Sequence, residues 1–226
     1  VARPQSENGA RERLIEAAFV LLEEKGPEAL TARAVTERIG ASTMAVYTHF
    51  GGMPGLADEV VRVGLTRFAG HVRERMPRTD DPVADLIAGG LAYGSFATRN
   101  SQLYRFTFGL TGTAALAGRR SGLDGAPDAW TTPEGEDFFS ILLEAVERVI
   151  ESGRFRPQDG RAAATQILGA THGLILLAIG GFIGDARTAM DEVMAPLTIN
   201  LMVGLGDERE KVEQSFTRTL REGDRG

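Results

Sequence analysis

Thr31-Ala32-Arg33-Ala34-Val35-Thr36-Glu37-Arg38-Ile39-Gly40-Ala41-Ser42-Thr43-Met44-Ala45-Val46-Tyr47-Thr48-His49-Phe50 is the stretch on which the rest of the chain turns. It predicts two short helices folded about a tight turn. Thr31 can cap the first through its hydroxyl, and Ala32, Val35 and Ile39 recur at the spacing of an inward helical stripe. Gly40 ends that helix and relieves the backbone at the turn, and Ser42 is placed to cap the second. Two helices joined by a few residues that include glycine make a helix-turn-helix, whose second helix can enter a DNA major groove.

On a helical wheel Val46 and Phe50 lie one turn apart and point inward, Met44, Ala45 and Thr48 point away, and Thr43, Tyr47 and His49 sit at the borders. The outward face is small and neutral, and no acidic residue occurs between Glu37 and Asp58 to repel phosphate. A hydroxyl can meet any base edge, and Ala or Met can touch a thymine methyl, so Thr43, Met44, Ala45 and Thr48 are the candidate base readers. Thr31, Arg33, Ser42, Tyr47 and His49 are the candidate backbone contacts, which set register without reading sequence. The same pattern also suits a small helical subdomain that never meets DNA.

Gly40-Ala41-Ser42-Thr43-Met44-Ala45-Val46-Tyr47-Thr48-His49-Phe50, preceded by Thr31-Ala32-Arg33-Ala34-Val35 and an apolar helix ending near Lys25-Gly26, resembles the N-terminal domain of the TetR family of bacterial transcriptional regulators. The resemblance covers about the first sixty residues; in the body only Thr171-His172-Gly173-Leu174-Ile175 resembles one subgroup. It implies a three-helix DNA-binding head over residues 1–55 and a larger helical-bundle body over 56–226 for ligand binding and dimerisation. At the place where the family usually has a Pro-Ser-Lys-like turn this chain has Gly51-Gly52-Met53, so the lysine–phosphate contact is not carried over.

Composition sets bounds on these readings. At 226 residues the chain can bury a small domain and a larger one, and a net charge of −6 favours solubility over general nucleic-acid binding. Residues 1–50 hold six Arg/Lys against seven Asp/Glu, which predicts little non-specific DNA affinity and a modest salt dependence. The absence of cysteine removes disulfides, thiol nucleophiles and thiolate metal sites and fits a cytoplasmic protein. No signal peptide is apparent, and the apolar run from Gly169 to Ile183 falls short of a membrane span. The three histidines at 49, 71 and 172 stand in separate contexts, and no HExxH, calcium-loop or nucleotide motif is present. No metal, cofactor or enzymatic activity is expected.

Along the chain, apolar periodicity predicts an all-α protein. Helices are expected near 10–25, 56–75, 83–98 and 101–108, then from Pro133 to Ser152, from Asp159 to about Ile183, over 189–204, and in the final charged stretch. Pro196 is expected to bend or bound its helix. Residues 109–133, with Arg119-Arg120 and Trp130, predict a long connection or lid. Leu86, Gly90, Tyr93, Phe96, Tyr104, Phe108, Phe138, Leu142 and His172 are the candidate lining of a ligand cavity; core packing is the competing role for each. The helices near 159–183 and 189–204 carry more apolar surface than a small body encloses, which suits a homodimer interface; the core of a monomer is the other reading.

The functional expectation is a homodimeric repressor on a palindromic double-stranded DNA operator, released by an apolar or aromatic small molecule. The repression and its relief are what the resemblance implies. An activator, or a helical ligand-binding or scaffolding protein with weak or lost DNA affinity, is the alternative.

Overall fold

The computed structural model describes residues 4–108, 132–184 and 189–223, all helix, turn or coil. Most of the connection expected over 109–133, including Arg119, Arg120 and Trp130, lies outside these residues. The helices are α1 (Pro4–Lys25), α2 (Ala32–Arg38), α3 (Met44–Phe50), α4 (Met53–Arg75), α5 (Pro82–Arg99), α6 (Ser101–Thr107), α7 (Pro133–Glu151), α8 (Gly160–Ile179), α9 (Ala195–Leu205) and α10 (Arg209–Gly223). α1 starts at Pro4, earlier than the apolar period revealed, because proline suits a first helical turn and no apolar pattern marks residues 5–9. α4 likewise starts at Met53, with Pro54 in the first turn where a missing N–H costs nothing. Pro196 falls in the first turn of α9, behind a π-helical segment Ala189–Met194, and so bounds an α-helix rather than bending one.

Contacts group the described residues into two compact units, one of residues up to 67 with those of 100–136, the other of 68–99 with 137 onward. α4 contributes to both, divided at Arg67/Phe68.

In the first unit Leu14, Ala18 and Leu22 of α1, Val35 of α2, Val46 of α3 and Leu56, Val60 and Leu65 of α4 are buried. Tyr104 and Phe106 of α6 add to this core, and the Leu103 N–H donates to the Glu23 carboxylate at 2.8 Å. Thr31 caps α2 as expected, its hydroxyl oxygen accepting from the Ala34 N–H at 3.2 Å. The cap expected of Ser42 is a correction. Thr43 holds the N-cap position with helical backbone (φ −58, ψ −24) and no side-chain cap, while the Ala45 N–H donates to the Ser42 carbonyl at 3.0 Å. The chain enters α3 already helical, so no side chain sits in the extended geometry from which a cap reaches back.

In the second unit one core joins α5, α7, α8, α9 and α10 through Leu86, Val146, Phe155, Ile167, Met202 and Phe216. α5 packs against α8 and α10, and α9 against α8 and α10. Buried polar groups tie this core together. The Asp85 carboxylate, 1% exposed, accepts from the Thr79 hydroxyl at 2.7 Å, the Thr79 N–H at 2.9 Å and Arg148 Nη1 at 2.9 Å. Arg148 Nη2 donates to the Thr79 carbonyl at 2.9 Å, which spends a second guanidinium hydrogen on the same corner. Asp81 and Asp159 cap α5 and α8, accepting from the Ala84 N–H and from the Arg161 and Ala162 N–H groups.

The apolar helix expected to fall short of a membrane span does meet the length and composition for one, since it begins at Gly160 and holds a mean hydropathy of 1.6. Its Ala163, Ala164, Ile167, Leu174 and Ile175 are buried against the other helices of the unit, while the larger share of the helix is not.

Candidate nucleic-acid interface and effector cavity

α2 and α3 pack on each other and α2 on α1, and only the apolar stripe of α3 is turned inward. Val46 is fully buried and Phe50 half-buried, whereas Met44 is 64% and Tyr47 58% exposed, with Ser42, Thr43 and Thr48 exposed beside them. Ala45 and His49 are half-buried, and the His49 ring meets the Phe50 ring edge-on at 6.2 Å. The structure therefore brings Ser42, Thr43, Met44, Ala45, Tyr47, Thr48 and His49 onto one short helix and its entry, with Thr31 and Arg33 on α2.

The turn is held by groups that pattern reading passed over. Thr36 is 1% exposed, and its hydroxyl donates to the Ala32 carbonyl at 2.8 Å while its own carbonyl accepts the Ala41 N–H at 2.9 Å. After α3, Gly51 takes a left-handed backbone (φ 72) and returns its N–H to the Tyr47 carbonyl at 2.9 Å. Gly55 is the tightest point: a Cβ there would lie 1.9 Å from the Phe50 carbonyl oxygen. Any larger residue would push the start of α4 away from the end of α3.

Charge on this face is sparse and already engaged. Arg33 Nε donates to Glu37 at 2.6 Å, which holds the guanidinium pKa above its ordinary value through that hydrogen bond. Arg38 pairs with both oxygens of Glu24 at 3.0 and 2.9 Å. A phosphate approaching either arginine competes with a carboxylate.

Of the candidate ligand residues, Leu86, Gly90, Tyr93, Phe138 and Leu142 line one crevice of the second unit, with about 460 Å³ not filled by atoms and part of it open to solvent. His172 joins them through Tyr93, whose hydroxyl lies 3.3 Å from His172 Nδ1, and burial pushes its imidazole pKa down, which favours the neutral ring. Phe96 stacks on Phe68 at 4.4 Å instead of lining the space. Tyr104 and Phe108 belong to the first unit, pair with each other at 4.8 Å, and line neither this crevice nor its neighbour. A second crevice, about 540 Å³ with the solvent at its mouth included, shares Leu86 and Gly90 and adds residues of α9 and α10 that pattern reading placed on apolar helix faces but not in a cavity, among them Leu201 and Phe216. Among the described residues no group of three His, Asp or Glu side chains could hold a metal ion.

Two family models match the chain: "Bacterial regulatory proteins, tetR family" over residues 14–60, and "Tetracyclin repressor-like, C-terminal domain" over residues 86–198. The class C tetracycline repressor protein of Escherichia coli is 35% identical over 79 residues, a match spanning 35% of this chain and 35% of that repressor. Among solved structures, a protein of unknown function from Rhodococcus sp. RHA1 superposes with a TM-score of 0.73 at 22% identity, covering 91% of this chain and all of that one. RolR in complex with resorcinol superposes with a TM-score of 0.66 at 17% identity, covering 96% and 97%. At such identities these likenesses speak for the fold.

Proposed function

We infer, from the premise that this chain belongs to the TetR family of bacterial regulatory proteins, that it is a cytoplasmic, ligand-responsive repressor of a palindromic operator, which it binds as a homodimer and leaves when an apolar or aromatic small molecule binds. The observation that carries the reading is the outward face of α3, where Met44 and Tyr47 stand in solvent on a helix whose opposite side is buried. Exposed apolar side chains mark a contact surface when they adjoin one another, and Met44 and Tyr47 lie one turn apart on the same face. Their neighbours Thr43, Ala45 and Thr48 fit base edges and thymine methyls, and Thr31, Arg33, Ser42, Tyr47 and His49 fit the backbone. Residues 1–55 are then the DNA-binding domain and 56–226 the part that binds ligand and dimerises.

The dimer is supported by what α8 and α9 leave uncovered. Leu177 of α8 and Leu197 of α9 are exposed, and Phe182, in the turn that follows α8, is 81% exposed. A Cβ at Gly169, Gly173 or Gly204 would meet nothing within 4 Å, so these positions leave backbone open to the close approach of a partner helix. Crevice walls made of Tyr93, Phe138, Leu86 and Leu142 suit an apolar or aromatic effector. It acts only so far as it binds the DNA-competent and DNA-free states with different affinity.

A second reading, a helical ligand-binding protein with weak DNA affinity, draws on the pairing of both α2 arginines with glutamates. Selection of double-stranded DNA from a random pool at two salt concentrations separates the two. One enriched palindrome whose affinity falls only shallowly with salt fits the repressor, and unselective binding at both salts rejects it.

A further inference from the structure

The two crevices of the second unit share four lining residues: Leu86 and Gly90, one turn apart on α5, and Ile167 and Thr171, one turn apart on α8. These positions lie where α5 and α8 pack on each other. Gly90 is the weak point of that contact, since a Cβ added there would meet no atom within 4 Å. The glycine before it behaves differently, as a Cβ at Gly89 would come within 2.7 Å of Met76 Sδ. Gly89 is thus explained by packing, and Gly90 by open space between the helices.

The chemistry of the walls is one-sided. None of the described residues lining either crevice is Asp, Glu, Lys or Arg, so an ion entering would shed its hydration with no counter-charge to meet. Polar groups are few and neutral: Thr171 lines both spaces, Tyr93 borders one and Thr198 the other.

Resting on the effector reading given above, we propose that the two crevices are halves of one ligand channel that passes between α5 and α8 at Gly90, and that its ligand is a long, uncharged, mainly apolar molecule with one hydrogen-bonding group held at Thr171. Gly90 sets the length that the channel accepts. A residue with a branched side chain there closes the passage and leaves two short, separate sites.

The test is calorimetric titration of the full chain, without DNA, by n-alkanols from hexanol to decanol, together with decanoate and decyltrimethylammonium at neutral pH. Affinity should rise about fourfold for each added methylene, and both charged decyl probes should bind at least about tenfold more weakly than decanol. Gly90→Leu should abolish the gain in affinity from hexanol to decanol. Should Gly90→Leu fail to fold, Gly90→Ala serves, because its methyl meets no neighbour; it should weaken decanol at least about threefold more than hexanol. Decanoate binding as well as decanol, a length dependence indifferent to residue 90, or no binding by any alkanol each overturns the proposal. Operator release is measured separately. Alkanol binding that leaves the operator occupied supports the channel and sinks the effector reading, whereas operator selection without alkanol binding does the reverse.

Discussion

Gly55→Ala is the substitution that most directly probes how α3 is held. The added methyl would start 1.9 Å from the Phe50 carbonyl oxygen, and Cβ atoms do not come closer than about 3.0 Å to such a neighbour, so the end of α3 and the first turn of α4 must separate by about 1.1 Å. The obstacle is backbone, which cannot swing aside as a side chain tip would. Overpacking of this kind costs about 1–3 kcal/mol, against a gain of about 1 kcal/mol from replacing a helical glycine with alanine. The net effect is a loss of stability in the first unit. On the proposed reading, displacing α3 also costs operator affinity, because the methyl and hydroxyl contacts of its outer face depend on close approach to base edges. Gly70 is the internal control, because it lies in the same helix and a Cβ there meets nothing within 4 Å. Gly70→Ala should be neutral or stabilising by up to about 1 kcal/mol. Urea unfolding followed by circular dichroism at fixed protomer concentration, with a binding assay on the selected operator, gives both readouts. If Gly55→Ala matches Gly70→Ala in midpoint and in operator affinity, the close approach at Phe50 is not what fixes α3.

Tyr47→Ala should lower operator affinity about tenfold with an unchanged dichroism spectrum, since the ring is 58% exposed and supports little of the core; full affinity would remove Tyr47 from the interface. Arg148→Leu strands the buried Asp85 carboxylate and should cost about 3–5 kcal/mol, largely recovered by adding Asp85→Leu; a mild single variant would show that Thr79 suffices as partner. Gly173→Leu has open space around it in one protomer, so it should leave the subunit folded while raising the dimer dissociation constant at least about tenfold; sedimentation showing an intact dimer would place the interface elsewhere. Burial depresses the pKa values of His172 and His71, the latter further lowered by Arg75 and Arg99. The unfolded chain therefore takes up protons first, and this stability is complete above about pH 6.5 and is lost as pH falls toward the folded values. Urea midpoints between pH 5 and 7.5 should show that slope in wild type and lose it in the His71→Gln, His172→Gln pair.

The helix-turn-helix was legible because everything that defines it is local. Thr31 as cap, Val35 and Val46 as inward residues, and Gly26 and Gly40 as helix ends all follow from spacing within a few residues. What stayed hidden depends on partners far along the chain or on distances that no pattern encodes. Arg148 and Asp85 meet across 63 positions, Thr36 looks like a solvated helix threonine until it is seen buried, and Gly55 looks like a weak helix residue until the Phe50 carbonyl is beside it. For the cavity, aromatic density pointed to Tyr93 and Phe138 but equally to Tyr104 and Phe108, since periodicity cannot say which core an aromatic ring will join.

The sparse charge of the candidate interface bears on how the operator is recognised. Binding through Z phosphate-neutralising cations loses affinity with salt in proportion to Z. Arg33 and Arg38 each approach DNA with a glutamate already attached, so they neutralise little unless Glu37 and Glu24 let go. No lysine stands after α3 to replace them, where Gly51-Gly52-Met53 occurs. On the proposed reading, discrimination comes from the methyl and hydroxyl contacts of Thr43, Met44, Ala45 and Thr48, which fade within an ångström, and from DNA shape. Short-range contacts reward only accurate placement, which Gly55 sets within the head and which, in the proposed dimer, the glycines of α8 would set between protomers. It follows that replacing Glu37 with Gln should strengthen DNA binding at low salt and steepen its salt dependence without improving selectivity, and a gain in selectivity would mean that Arg33 reads bases.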